Sequence, residues 1–156
     1  TPIKSSAASD VYKRQEQEKL QGSEIQMSLI TVDDTNTFSV EESIRDIFMD
    51  QTLPDIIICL NELSTTCVYQ AVVDYNCVGE IAILGYYDTD TILKAIERNV
   101  ITATISIDTE QMGAFCVDAL QEYYNYGYTS QYFTADVTVI DQSNVEEYLG
   151  KQEEAE

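Results

Sequence analysis

The residues of this chain with the most chemistry to offer are carboxylates, amides and tyrosines, each placed directly after a short apolar run. Asp33 and Asp34 follow the first such run. Asn61 and Glu62 follow the second; Tyr86, Tyr87 and Asp88 the third; Asp108 the fourth. A carboxylate accepts two hydroxyl hydrogen bonds, an amide both donates and accepts, and an aromatic ring covers apolar C–H surface. Such a set suits a neutral polyhydroxyl ligand. It would also suit a cation, whereas an anion finds no Lys or Arg at any of these positions. The ligand-binding candidates are Asn61, Tyr87, Asp88, Asp108 and Asp33. The competing reading is helix capping, since Asp and Asn are preferred N-caps. For Asp108 capping is the stronger reading. For Asn61, placed ahead of a helix expected from about Leu63, the cleft is favoured.

These residues can converge only if the apolar runs are strands of one sheet. Glu24 to Val32 (EIQMSLITV) reads as a strand. The pattern Ser39-x-x-Glu42 reads as a capping box opening a helix to about Asp50. Asp55 to Leu60 (DIIICL) reads as a strand buried on both faces. Helix follows from about Leu63 to Tyr75, strand from Glu80 to Leu84 ending at Gly85, helix from about Asp90 to Arg98, and strand from Thr102 to Ile107. Asp108-x-x-Gln111 opens a helix to about Asn125 with Met112, Phe115, Cys116, Ala119, Leu120 and Tyr123 on one face. An alternating strand, Tyr132 to Ile140, and a short helix near Asn144 to Leu149 close the pattern, after a helix tail from Glu16 to Gln21 at its start. Alternating strands and helices predict an α/β fold: a Rossmann-like, doubly wound parallel sheet. In such sheets ligands bind beyond the carboxyl ends of the strands, where the residues named above lie.

The whole-chain balance narrows the partners. The chain has 156 residues, 44% of them hydrophobic, enough for one packed core. Eight Lys plus Arg against 28 Asp plus Glu give a net charge of -20, which disfavours nucleic acid and anionic membrane surfaces. With no His, Cys/His metal sites and Cys-His nucleophile pairs cannot be built, so no metal and no cofactor are expected. The four cysteines, Cys59, Cys67, Cys77 and Cys116, are read as small buried apolar thiols. Asp33 and Asp88 could pair as general acid and base, yet neither a phosphate-cradling glycine loop nor a nucleophile elbow accompanies them, and the expectation is a binding protein rather than an enzyme. No signal segment is visible. Residues 1–15 differ in composition from the remainder and are read as a non-native or disordered leader. Residues 16–149 form the domain and residues 150–156 an acidic tail.

The runs LPDIIICLNELSTTCVYQAVVDYNCVGEIAILGYYDT and IERNVITATISIDTEQMGAFCVDALQEYYNYGYTSQYFTADVTVIDQSNVEEYL resemble the C-terminal part of sugar-type ABC solute-binding proteins of the type I periplasmic-binding family. The resemblance covers about Glu24 to Leu149. It implies two Rossmann-like lobes joined by a hinge, with a small solute, often a sugar, held between them. By that resemblance this chain carries the C-terminal lobe, the helix from Thr109 belongs against the sheet of a missing N-terminal lobe, and Tyr132 to Ile140 returns through the hinge. It further implies an ABC permease as partner, a periplasmic or extracellular location for the full-length protein, and self-association of a lone lobe. Asn61 matches the family's cleft Asn. Tyr87 stands where many members have Asp, with Asp88 one residue later, and Ile107 replaces a common Gln, followed by Asp108. The effector domain of a lactose-repressor-type regulator shares this fold and is the main alternative. A phosphoacceptor receiver domain, suggested by Asp33 and Asp34, lacks the Lys it needs after TATISI.

Overall fold

The computed structural model describes residues 25–32, 36–49 and 52–153, with side chains through residue 150. The chain divides into two units, Thr1–Thr31 and Val32–Glu156, and the described secondary structure lies in the second. Its elements in order are α1 (Thr37–Met49), β1 (Ile56–Ile58), α2 (Glu62–Asp74), β2 (Ala82–Tyr86), α3 (Asp90–Glu97), β3 (Ala103–Ile107), α4 (Thr109–Tyr126), β4 (Val137–Asp141) and α5 (Val145–Glu153). The α/β class is the expected one. Asp33, Asp34 and the Glu16–Gln21 helix tail lie outside the described residues. α5 continues through 150–153, residues that the sequence assigned to the tail.

The four strands form one sheet in the order β1-β2-β3-β4. β1, β2 and β3 run parallel, and β4 is antiparallel to β3. Consecutive parallel neighbours need a crossover, which α2 and α3 provide. The alternation of Ile25 to Val32 does not produce a strand. Alternating apolar residues are not sufficient for a strand, since a ladder must also form, and the described sheet is built from β1 to β4. The final strand begins at Val137, five residues later than its alternation suggested, because its partner β3 ends at Ile107, opposite Val137.

Register separates the sheet's two faces. Ile83 of β2, Thr104 and Ser106 of β3 and Ile140 of β4 are buried beneath the helices. Ile56 and Ile58 of β1, Ile105 of β3, and Val137 and Val139 of β4 point to the opposite face and are exposed. The expectation that DIIICL is buried on both faces is therefore corrected: Ile56 is 57% and Ile58 62% exposed. Among the described residues β1 pairs on one side alone, and Ile56 and Ile58 lie on an exposed face.

The core lies under the covered face. In α1, Val40, Ile44 and Phe48 recur at i, i+4 and i+8, so one stripe is buried, and the Phe48 ring stacks on Tyr75 at 5.2 Å between centroids. α3 buries Ile92, Leu93, Ala95 and Ile96. The start of α1 differs from the capping-box expectation. Asn36 accepts from the Ser39 N–H at 3.0 Å, so Ser39 sits inside the first turn. Any of Asn, Ser or Thr can cap, and the apolar period did not reveal which did.

α4 behaves differently from the other helices. It is 18 residues long, ends at Gly127 with φ +76, and has no buried residue. Leu120 is 71% and Val117 64% exposed. Its anchorage is to the segment that follows it. The Gln111 side chain accepts from the Asp136 N–H at 2.6 Å, Phe115 meets Phe133 at 5.4 Å, and Glu122 accepts from the Ser130 N–H at 2.8 Å. Those bonds hold the Glu122 carboxyl below its usual range, the Ser130 backbone N–H contributing most. No described helix is long and apolar enough to cross a membrane.

Candidate functional site at the strand tips

The sheet's carboxyl edge brings the β1, β2 and β3 tips together through three buried or partly buried hydroxyls. Thr65, on the first turn of α2, is fully buried. Its Oγ1 donates to the Asn61 carbonyl at 2.8 Å and accepts from the Tyr86 N–H at 3.0 Å, tying the loop after β1 to the end of β2. Thr104 Oγ1 donates to the Tyr87 carbonyl at 2.6 Å. Ser106 Oγ donates to Asp88 Oδ2 at 2.7 Å. Gly85 makes this layering possible: a Cβ there would stand 2.7 Å from Thr65 Cγ2 and 3.2 Å from Thr104 Oγ1. The apolar run predicts a strand that stops at Gly85, but β2 continues through it to Tyr86. Gly85 is an internal strand residue, kept small by two hydroxyl side chains.

Asn61 occupies the tip of β1, but as the N-cap of α2. Its Oδ1 accepts from the Ser64 N–H at 2.7 Å, with backbone angles of φ -152 and ψ 164. The separation between Asn61 and its helix, the reason for preferring a cleft role, does not exist, since α2 starts at Glu62. Capping uses one end of the amide. The Nδ2 end is a donor that capping does not require.

Tyr87 and Asp88 form the tip of β2. Tyr87 has φ +82, in the left-handed region that side-chain-bearing residues avoid. Such a conformation costs roughly 1–3 kcal/mol and persists where surrounding bonds fix it. Here the fixing bonds are the Tyr87 N–H to the Ile105 carbonyl at 2.8 Å and the Thr104 hydroxyl to the Tyr87 carbonyl. The Tyr87 side chain is partly buried against the core, and its ring lies 6.5 Å from that of Tyr86. Asp88 is not the cap of the following helix. That place belongs to Thr89, whose side chain makes no cap bond and whose Oγ1 is the one buried side-chain polar atom without a partner among the described residues.

Asp108 caps α4, accepting from the Gln111 N–H at 2.8 Å, as the capping reading held. Its backbone N–H donates to the Asp136 carbonyl at 3.0 Å, so it is engaged on the α4 side of the sheet. Asp33 lies outside the described residues. The structure thus joins Asn61, Tyr87 and Asp88 through Thr65, Thr104 and Ser106, three hydroxyls that sequence reasoning missed. A signal for two of them was present. Within TATISI, Thr104 and Ser106 alternate on one face of an otherwise apolar strand, the mark of hydroxyls turned inward.

The cysteines divide. Cys59, Cys67 and Cys77 are buried, and Cys116 is exposed because α4 buries nothing. Burial pushes the Cys59 thiol up to about 11, opposed by a hydrogen bond with Thr65 and reinforced by Cys67. A shallow cavity of about 420 Å³ lies along α4, lined by residues including Phe115, Asp118, Glu122 and Phe133, away from the strand tips.

A mostly parallel sheet flanked by helices, with polar residues gathered at the carboxyl edge of its parallel strands, is the architecture seen in one lobe of the type I periplasmic-binding fold. No family profile and no curated protein matches the chain. Solved structures do. A solute-binding protein from Agrobacterium vitis, bound with alpha-D-tagatopyranose, is similar at a TM-score of 0.77 and 13% identity over 89% of this chain and 47% of its own. One from Bacillus halodurans C-125 with bound myo-inositol is similar at a TM-score of 0.71 and 17% identity, over 90% and 48%. A sugar ABC transporter sugar-binding protein from Bacillus halodurans gives 0.68 and 18% identity, over 84% and 49%. The chain spans about half the length of the solved structures it matches, and the likeness is one of fold.

Proposed function

We propose that this chain is the C-terminal ligand-binding lobe of an ABC importer's solute-binding protein, specific for a sugar or a related small polar solute. The observation that supports it most is the overlay at a TM-score of 0.77 on half of a solute-binding protein bound with a sugar. This chain ends its β1 and β2 strands in Asn61, Tyr87 and Asp88, a set of neutral-ligand acceptors and donors. In this reading an N-terminal lobe supplies the other wall of the cleft, and the open apolar surface of α4 packs on it. The full-length protein works outside the cytoplasmic membrane, secreted or lipid-anchored, and passes its solute to a permease. It binds and releases without catalysis.

The reading is tested by calorimetry on the protein of the full reading frame with D-fucose, D-tagatose and myo-inositol. One of these or a related polyol should bind. Asn61→Ala and Asp88→Ala should each weaken binding about 5- to 150-fold, the loss of roughly 1–3 kcal/mol expected when a desolvated hydrogen-bond partner is removed. Wild-type affinity in both variants would show that these residues only cap and solvate the strand tips.

A further inference from the structure

Two residues of this cleft edge depart together from what a plain strand end would give. Tyr87 holds a left-handed backbone at φ +82, and the next residue, Asp88, turns its carboxylate across the loop onto β3. The group that receives it is Ser106, 7% exposed, on the covered face of a strand whose other buried residue is Thr104. Burying a serine hydroxyl costs free energy unless it is hydrogen-bonded, and Ser106 spends its proton on Asp88 Oδ2 at 2.7 Å. A carboxylate bonded by a buried hydroxyl loses rotamer freedom, so its lone pairs keep a fixed direction before any ligand arrives.

We propose that Ser106 is the positioning residue of the binding site: it fixes the Asp88 carboxylate so that the site selects among polyols by the placement of their hydroxyls. The strained turn at Tyr87 is what brings Asp88 within reach of β3. Thr104 serves the same arrangement from the neighbouring inward position, donating to the Tyr87 carbonyl at 2.6 Å and so holding the turn. The two inward hydroxyls of β3 thus secure consecutive residues of the β2 tip, one through its backbone and one through its side chain. Specificity at this edge is set from beneath by β3, as well as by the loop itself. The proposal rests on the sugar-binding reading above.

The test is a double-mutant cycle in affinity on the protein of the full reading frame, using D-fucose, D-tagatose and myo-inositol as probes in calorimetry. Ser106→Ala should weaken the best-bound probe about 5- to 50-fold and narrow its advantage over the other two. Ser106→Thr, which keeps the hydroxyl, should restore both to within about threefold. In an Asp88→Asn background the Ser106→Ala change should have little further effect, because its consequence passes through Asp88. A purely structural Ser106 would instead lower thermal stability while leaving affinity and selectivity unchanged, or would weaken binding equally with and without Asp88; either result overturns the proposal. If the wild type binds neither these probes nor a related polyol, the sugar reading itself fails and the proposal falls with it, an outcome distinct from a wild type that binds and a Ser106→Ala variant that matches it.

Discussion

α3 and α4 are both helices that follow a strand tip of the same sheet, yet they are opposites in packing. α3 has eight residues and buries Ile92, Leu93, Ala95 and Ile96. α4 has 18 residues and buries none, while Leu120, Val117 and Tyr123 stand more than 60% exposed. The difference is not one of composition, since both carry apolar residues at helical spacing. It is one of partners: α3 lies on a core its own chain completes, whereas α4, among the described residues, is anchored by side-chain contacts to residues 128–136 and buries nothing. The sheet repeats the contrast, with Ile83 and Ile140 covered on one face and Ile58, Ile105 and Val139 bare on the other. Contiguous apolar surface of this kind marks an interaction site.

Substitutions should read this asymmetry directly. Ile96→Ala removes a fully buried side chain and should cost about 2–5 kcal/mol in chemical denaturation. Leu120→Ala should stay within about 0.5 kcal/mol. Leu120→Asp should leave folding equally untouched but reduce self-association of the chain in sedimentation velocity. A stability loss at Leu120 comparable to that at Ile96 would mean that α4 folds back onto its own lobe. Next in size is Gly85→Ala, where the new methyl meets Thr65 Cγ2; overpacking of this kind costs about 1–3 kcal/mol. Combining it with Thr65→Ser, which removes that methyl and keeps the hydroxyl, should lose less than the sum of the two single changes.

The smallest effect sharpens the comparison through the thiols. A disulfide-exchange reagent near neutral pH should label Cys116 on α4 promptly and leave Cys59, Cys67 and Cys77 until the chain unfolds, since burial shields all three and also disfavours the thiolate of Cys59 and Cys67. Cys59 is pushed up to about 11 in the folded chain, against an unfolded value near 8.5. Its contribution to stability is therefore complete below about pH 8.5 and is lost as pH rises from there through about 11. A folded chain whose four thiols react at one rate would erase the distinction between α4 and the core.

The legible part of this molecule was what periodicity carries. Val40, Ile44 and Phe48 announce α1, and the alternation in TATISI announces β3 within a residue of its start. Polar placement was harder. Asn61 was assigned to the cleft because the helix boundary was set at Leu63, one residue too late, which concealed its bond to Ser64. Asp88 was found because strand tips are where such sheets gather ligand groups. Thr65 has no pattern of its own amid the α2 sequence, and the alternation that turns Ser106 inward does not name its partner, which only the placement of β3 beside the β2 tip shows. Residues 25–32 show the converse failure, in which a strand pattern does not by itself make a strand.

In the proposed reading this lobe supplies one wall of a ligand cleft and a second lobe supplies the other. Calorimetry of the 156-residue chain itself with D-fucose, D-tagatose and myo-inositol tests it most directly. Binding sites of this kind enclose roughly 70–90% of a small ligand's surface, and a single wall covers about half, so the titrations should show no saturable heat up to millimolar sugar. Micromolar binding of any of the three to the isolated chain would contradict the claim, because it would require a complete pocket within this one lobe.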